Sequence, residues 1–142
     1  MLKQTEQFKV GEGLPLKEVL DTLPYNAQGL IPAIAQQYDS KEVLMMAWMN
    51  RTSVEETLTT GRVCYFSRSR QKLWRKGETS GQVQVLKEMR LDCDGDTLLL
   101  LVDQAGPACH TGRKSCFYNL VKADEVVVDS EPLIDPKQLY GK

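Results

Sequence analysis

The sequence holds a single histidine, His110, and no C-x-x-C pair. It has no apolar run near the roughly 20 residues of a membrane-spanning helix. It also has no internal repeat and no low-complexity linker. Charge of either sign is not in excess, because 18 Lys and Arg face 19 Asp and Glu, for a formal net charge of -1. Each lack excludes something. A balanced charge argues against broad electrostatic binding to nucleic acid or to an anionic membrane, so a charged ligand must be held by local clusters. The opening MLKQTEQFKV has no apolar core of the kind a signal peptide needs, and a cytoplasmic location is expected. Without a C-x-x-C knuckle a zinc ribbon is disfavoured. The H-x-E and P-C-x-x-C signature of zinc deaminases is missing as well.

What is present suits one domain over residues 1–142, with a hydrophobic fraction of 42% to build a core. LPLKEVLDTLP reads as a short helix that stops before Pro24. IPAIAQQYDSKEVLMMAWM reads as two apolar strands joined by a polar turn from Asp39 to Glu42. NRTSVEETLTTG reads as a helix, with Thr52 as cap, Glu55 three residues on as in a capping box, and Gly61 at its end. RVCYFSRSR follows as a strand. QVQVLKEMRL places Val83, Val85, Met89 and Leu91 on one face, interrupted by Lys87. Its other face is polar except for Leu86. TLLLLV is apolar without alternation and is expected to be buried on both faces. SCFYNLVK and EVVVD add short strands. The fold expected is mainly β, with one or two short helices.

DCDGD, residues 92–96, sets three carboxylates on alternate positions with Cys93 between the first two. In a straight strand alternate residues lie about 7 Å apart, at about 3.3 Å per residue. Oxygens around Mg²⁺ must stand about 2.1 Å from the ion. Asp92, Asp94 and Asp96 therefore serve one cation only if the chain curls, and Gly95 supplies a turn or bulge that allows it. A solvated acidic turn is the competing reading. An EF-hand is excluded, because Thr97 stands where its loop needs glycine and TLLLLV reads as a strand rather than a helix.

Four cysteines remain: Cys64, Cys93, Cys109 and Cys116. In a reducing compartment metal binding or catalysis is a better reading than a disulfide framework. GPACHTGRKSC is turn-rich and is expected to bring Cys109 and Cys116 together. Three thiolates, with Cys93 as the third, would leave a fourth zinc position open, as catalytic sites do. A closed site with Cys64 as fourth ligand, or plain buried thiols, stay open as alternatives. Three thiolates on Zn²⁺ sum to -1, so such a zinc acidifies water less than one held by neutral histidines. A neighbouring base would then help. Histidine is the residue type suited to that task near neutral pH, and His110 adjoins Cys109.

YFSRSRQKLWRKGETSGQVQ, DCDGDTLLLLVDQAGPACHTGRKSCF and LMMAWMN together resemble the phosphoribosyl-AMP cyclohydrolase family of histidine biosynthesis. The resemblance spans roughly Gly29 to Leu120. It implies hydrolytic opening of the N1–C6 bond of the adenine ring of phosphoribosyl-AMP, by zinc-activated water. It implies zinc on Cys93, Cys109 and Cys116, and Mg²⁺ on Asp92, Asp94 and Asp96. It further implies a homodimer with the sheet folded into a pseudo-barrel. Each zinc site is then shared, Cys93 coming from one subunit and the other two cysteines from its partner. His110 is the candidate proton carrier.

For the phosphates and base of the substrate, the candidates are Arg68 and Arg70 on alternate positions, Trp74, Lys76, Gly77, Ser80, Gly81 and Arg113. Trp48 is a second candidate for stacking on the base. The family commonly carries Asn or His where Gln82 stands here. Some members are fused to a phosphoribosyl-ATP pyrophosphohydrolase. The residues after Leu120 are too few for a second domain, and a monofunctional chain is expected. The rival readings are a purine deaminase and a zinc-stabilised nucleotide-binding module without catalysis.

Overall fold

The computed structural model describes residues 1–140. The chain opens with a 3₁₀ turn (Leu2–Gln7) and helix α1 (Leu16–Thr22), which ends as expected before Pro24, with Leu23 already extended. Strands β1 (Ile31–Gln37) and β2 (Val43–Met49) pair antiparallel. Helix α2 (Arg51–Thr60) follows, then β3 (Cys64–Ser67) and β4 (Lys72–Arg75) as a hairpin. Strands β5 (Gln84–Leu91) and β6 (Leu98–Gln104) come next. A last hairpin, β7 (Asn119–Lys122) and β8 (Glu125–Val128), precedes the one-turn helix α3 (Pro136–Tyr140). The main sheet has the order β2-β1-β6-β5. It is mixed, because β1 and β6 are parallel while the other pairs are antiparallel. Among the described residues no helix is long and apolar enough to cross a membrane.

The core lies on one face of this sheet. β1 alternates strictly, with Ile31, Ala33 and Ala35 buried. From β6, Leu98, Leu100 and Val102 point the same way and are fully buried. Leu101, on the opposite face, is also buried, whereas Leu99 is only half-buried. The expectation of two buried faces is thus met in full on one side only.

β5 departs from its single-phase pattern. Gln84 is fully buried and Val85 exposed, yet Met89 and Leu91 pack against the core. The pairing with β6 slips between Leu86 and Glu88. A bulge at Lys87 explains it, since one extra residue turns every later side chain to the other face. Leu86 and Lys87, which break the sequence pattern, are where the phase changes.

Two other expectations are corrected. The cap of α2 is Asn50 rather than Thr52. The Asn50 side chain accepts from the Ser53 amide at 2.8 Å, and the Ser53 hydroxyl accepts from the Asn50 amide at 2.9 Å. Asn50 is the last extended residue, so its short amide faces the free N–H groups that Thr52, already inside the helix, does not. Gly61 ends the helix in the left-handed region, as its position predicts. The strand expected through Arg70 stops at Ser67, because residues 68–71 form the β3–β4 turn, with Gln71 at φ 53°.

α2 covers β3 through Val54 and Thr57, both fully buried. The β3 hairpin is tied to β5 by Val63 N–H to the Gln84 carbonyl (3.0 Å) and Leu86 N–H to the Gly61 carbonyl (2.8 Å). Inside this junction the Tyr65 hydroxyl donates to Gln84 (2.7 Å) and the Gln84 amide donates to Gln104 (2.9 Å). Paired in this way, the buried polar groups avoid the cost of unmet hydrogen bonds. Asn50→Ala should lower unfolding stability by about 1 kcal/mol, read from the denaturant midpoint. An unchanged midpoint would show that the cap does not hold α2.

Candidate active site

The acidic stretch is the loop between β5 and β6. The Asp92 amide donates to the Thr97 carbonyl (3.1 Å) and the Gly95 amide to the Asp92 carbonyl (3.0 Å), which curls the chain. Gly95 adopts φ 70° and is buried, and a Cβ there would press on the Leu2 side chain. The Asp96 amide donates to the Asp92 carboxylate at 3.0 Å, which brings the two carboxyls close. Their proximity lowers the pKa of Asp92 and, with the charge of Asp94 nearby, raises that of Asp96. The three carboxylates are exposed. Hard, water-accessible oxygens are the donor type that suits Mg²⁺, although the three carboxylates do not gather as one metal site among the described residues. Cys93, expected on the apolar face had the strand run on, is turned outward by the loop. Its thiol points toward the Asp94 carboxylate at 3.8 Å.

Cys109 and Cys116 do come together. Three backbone bonds close the loop between them: Ala108 to Lys114, Cys109 to Arg113 and Gly112 to Cys109. Residue 116 then docks on the edge of β2, its amide donating to the Leu44 carbonyl at 2.7 Å. The Thr111 hydroxyl donates to the Cys109 sulfur at 3.1 Å. Burial and the neighbouring Cys109 push the Cys116 thiol up to about 12. Two adjacent, shielded sulfurs fit a thiophilic ion such as zinc, which would displace their protons on binding. Among the described residues no three His, Cys, Asp or Glu side chains gather as one metal site. Cys93 is therefore not beside the pair within one chain.

Beside the pair opens a cleft of about 650 Å³. Arg70, Trp74, Lys76, Gly77, Ser80 and His110 line it, so six of the residues singled out in the sequence share one wall. His110 itself is exposed, while Ala108 and Cys109 before it are buried. Gly77 adopts φ 82° against the Val83 backbone, and a Cβ there would collide with the Val83 amide. Arg68 lies in the adjoining groove with Arg70 and Trp74, its guanidinium 4.9 Å from the Trp48 ring. The alternation argued for Arg68 and Arg70 does not hold, because both sit in the turn; they meet through the groove instead. Arg113 is elsewhere, donating to the Ser130 carbonyl (2.8 Å) and stacked on Tyr118. Gly81 and Gln82 close the loop behind the cleft. The Gln82 side chain donates to the Ser80 carbonyl at 3.3 Å and abuts Gly106.

A family model for phosphoribosyl-AMP cyclohydrolase matches residues 45–118. A phosphoribosyl-AMP cyclohydrolase of Halorhodospira halophila is 67% identical over 141 residues, covering 99% of each chain. Proteins of the same name from Alcanivorax borkumensis and Alkalilimnicola ehrlichii are 66% and 67% identical over the whole of both chains. The chain belongs to the phosphoribosyl-AMP cyclohydrolase family.

Cys64 bears on how this member of the phosphoribosyl-AMP cyclohydrolase family would hold a metal. Successive residues of a strand face opposite ways. Tyr65 packs toward Trp74 and, like Cys116, against the core, whereas Cys64 faces Glu56 under α2. Burial and the Glu56 carboxylate push the Cys64 thiol up to about 12. The fourth cysteine thus points away from the pair, which disfavours a closed four-cysteine site. Several contributors escaped the sequence reading. β4, whose KLWR pattern is too short and charged to read as a strand, makes the cleft wall. Lys72 and Thr79 also line the cleft. Gly77→Ala should cost about 1–3 kcal/mol of stability, since a positive φ and a backbone collision coincide. An unaltered unfolding midpoint would mean that the 76–83 loop relaxes freely.

Proposed function

We propose that this chain catalyses hydrolytic opening of the adenine ring of 1-(5-phosphoribosyl)-AMP at the N1–C6 bond, in histidine biosynthesis. The observation that carries this reading is His110 on the rim of a basic cleft, directly after buried Cys109, whose sulfur lies beside that of Cys116. The names of the full-length relatives point the same way. In the reaction, water adds to C6 and the C6–N1 bond breaks, leaving a carbonyl at C6 and a protonated N1. His110 takes the proton from the water and delivers one to N1. Trp74 offers a face for the base, and Arg70, Lys72 and the Gly77–Ser80 loop face the space where the phosphates would lie. Arg68 extends this basic surface into the next groove.

Cys109, Cys116 and a Cys93 would hold zinc, and Asp92, Asp94 and Asp96 would hold Mg²⁺. When bound, zinc supplies a Lewis acid that lowers the pKa of a water. The acidic loop leaves one end of β6 and the cysteine loop leaves the other. β6 itself spans about 20 Å, six rises of about 3.3 Å between its seven residues. Thiolates on one zinc lie about 2.3 Å from it. The reading therefore takes Cys93 from the second subunit of a homodimer, with the sheets closing into a pseudo-barrel. The β7–β8 hairpin, which exposes Val121, Val126 and Val128, supports association, because an isolated hairpin is marginal in water. A cytoplasmic enzyme completes the proposal.

The test is a steady-state assay with phosphoribosyl-AMP, following the imidazole carboxamide product by absorbance. Turnover should vanish when zinc is chelated and return when zinc is restored. Absence of turnover in folded, metal-replete protein would overturn the assignment.

A further inference from the structure

Lys76 is a charged side chain only 6% exposed. Ammonium groups are seldom buried without a carboxylate, because desolvation is costly. Yet no ion pair among the described residues includes Lys76. Its single hydrogen bond goes to the Ala108 carbonyl, at 2.9 Å, immediately before Cys109. Its Nζ lies 5.9 Å from the centre of the Trp74 ring. The remaining neighbours that could carry charge are the sulfurs of Cys109 and Cys116. Burial lowers the pKa of Lys76, and these two thiols oppose that shift.

Local backbone fixes this placement. Lys76 follows the last residue of β4, and its amide donates to the Val63 carbonyl at 3.1 Å. The next residue is Gly77, whose left-handed turn sends the chain away. The side chain, at the edge of the cleft, is thereby directed under the cysteine loop.

Resting on the zinc reading above, we infer that Lys76 is a positioning residue of the metal site: it fixes the Cys109 loop through the Ala108 carbonyl and offsets the negative charge of the metal-bound sulfurs. This differs from the role expected of it in the sequence, a direct hold on a substrate phosphate. Three thiolates with Zn²⁺ carry -1, and zinc binding releases the thiol protons. A fixed positive charge close by therefore favours the loaded site over the empty one.

The two roles separate in one experiment on the full-length protein, using Zn²⁺ alone as probe in a chelator competition. Lys76→Gln keeps a donor for the Ala108 carbonyl and removes the charge. Lys76→Arg keeps the charge. Lys76→Gln should weaken zinc binding by about 10-fold or more, the scale of second-shell changes at metal sites. Lys76→Arg should stay closer to the parent. With zinc saturating, KM for phosphoribosyl-AMP should hardly change in Lys76→Gln. Parental zinc affinity in Lys76→Gln, with a raised KM, would overturn the inference and return Lys76 to the substrate. If Lys76→Gln does not fold, Lys76→Arg decides alone: zinc affinity near the parent's with an unchanged KM upholds the inference, and an unchanged affinity with a raised KM overturns it. Absence of zinc binding by the parent protein itself would instead bring down the underlying zinc reading.

Discussion

The seven residues of β6 set the terms for everything else. They pair with β1 in parallel and β5 in antiparallel register, which makes β6 the strand around which the sheet is assembled. Leu98, Leu100 and Val102 bury one face completely. The acidic loop sits at its start. The chain that leaves its end turns into the cysteine loop, and Cys116 anchors on β2, at the far edge of the sheet. Cys93, in the loop before β6, does not gather with Cys109 and Cys116 within one chain. The proposal that Cys93 comes from a second chain rests on this.

The cleft is shaped by a different constraint, the junction of the β3–β4 hairpin with β5. Tyr65 and Gln84 are both fully buried and satisfy each other's polar atoms, which fixes the hairpin in register against the main sheet. Trp74 packs on Tyr65 with ring centres 5.4 Å apart, and from there the wall continues to Lys76 and the Gly77 turn. His110 faces the same space from the opposite loop. Strands β3 and β4 therefore hold the Trp74 side, while the loop that carries Cys109, His110 and Cys116 and the turn residue Arg70 border the opening.

Much of this was legible in the sequence. The alternation in IPAIAQQ, the helix boundary at Gly61 and the uninterrupted apolar run of TLLLLV name their elements directly, because each reports burial along one chain segment. The curl at Gly95 and the approach of Cys109 to Cys116 follow from turn chemistry at short range. What escaped depends on contacts distant in sequence. The bulge at Lys87 is visible only once β6 supplies the register. Arg68 and Arg70 read as strand residues until the β3–β4 turn claims them, and Arg113 is drawn off by the Ser130 carbonyl. Burial of Lys76 has no local signal at all: a lysine before glycine reads as an exposed turn, and only the packing of the cysteine loop over β4 puts it inside.

The central claim is that one active centre is built from two chains. It is tested most directly by mixing Cys93→Ala protein with Cys109→Ala protein, after reversible dissociation, and assaying ring opening. Each variant alone should be inactive. The mixture should recover activity, because a heterodimer contains one site with all three cysteines intact. Activity that stays absent in a mixture shown to contain heterodimers would contradict a shared centre, and would require the thiol pair and the acidic loop to act separately.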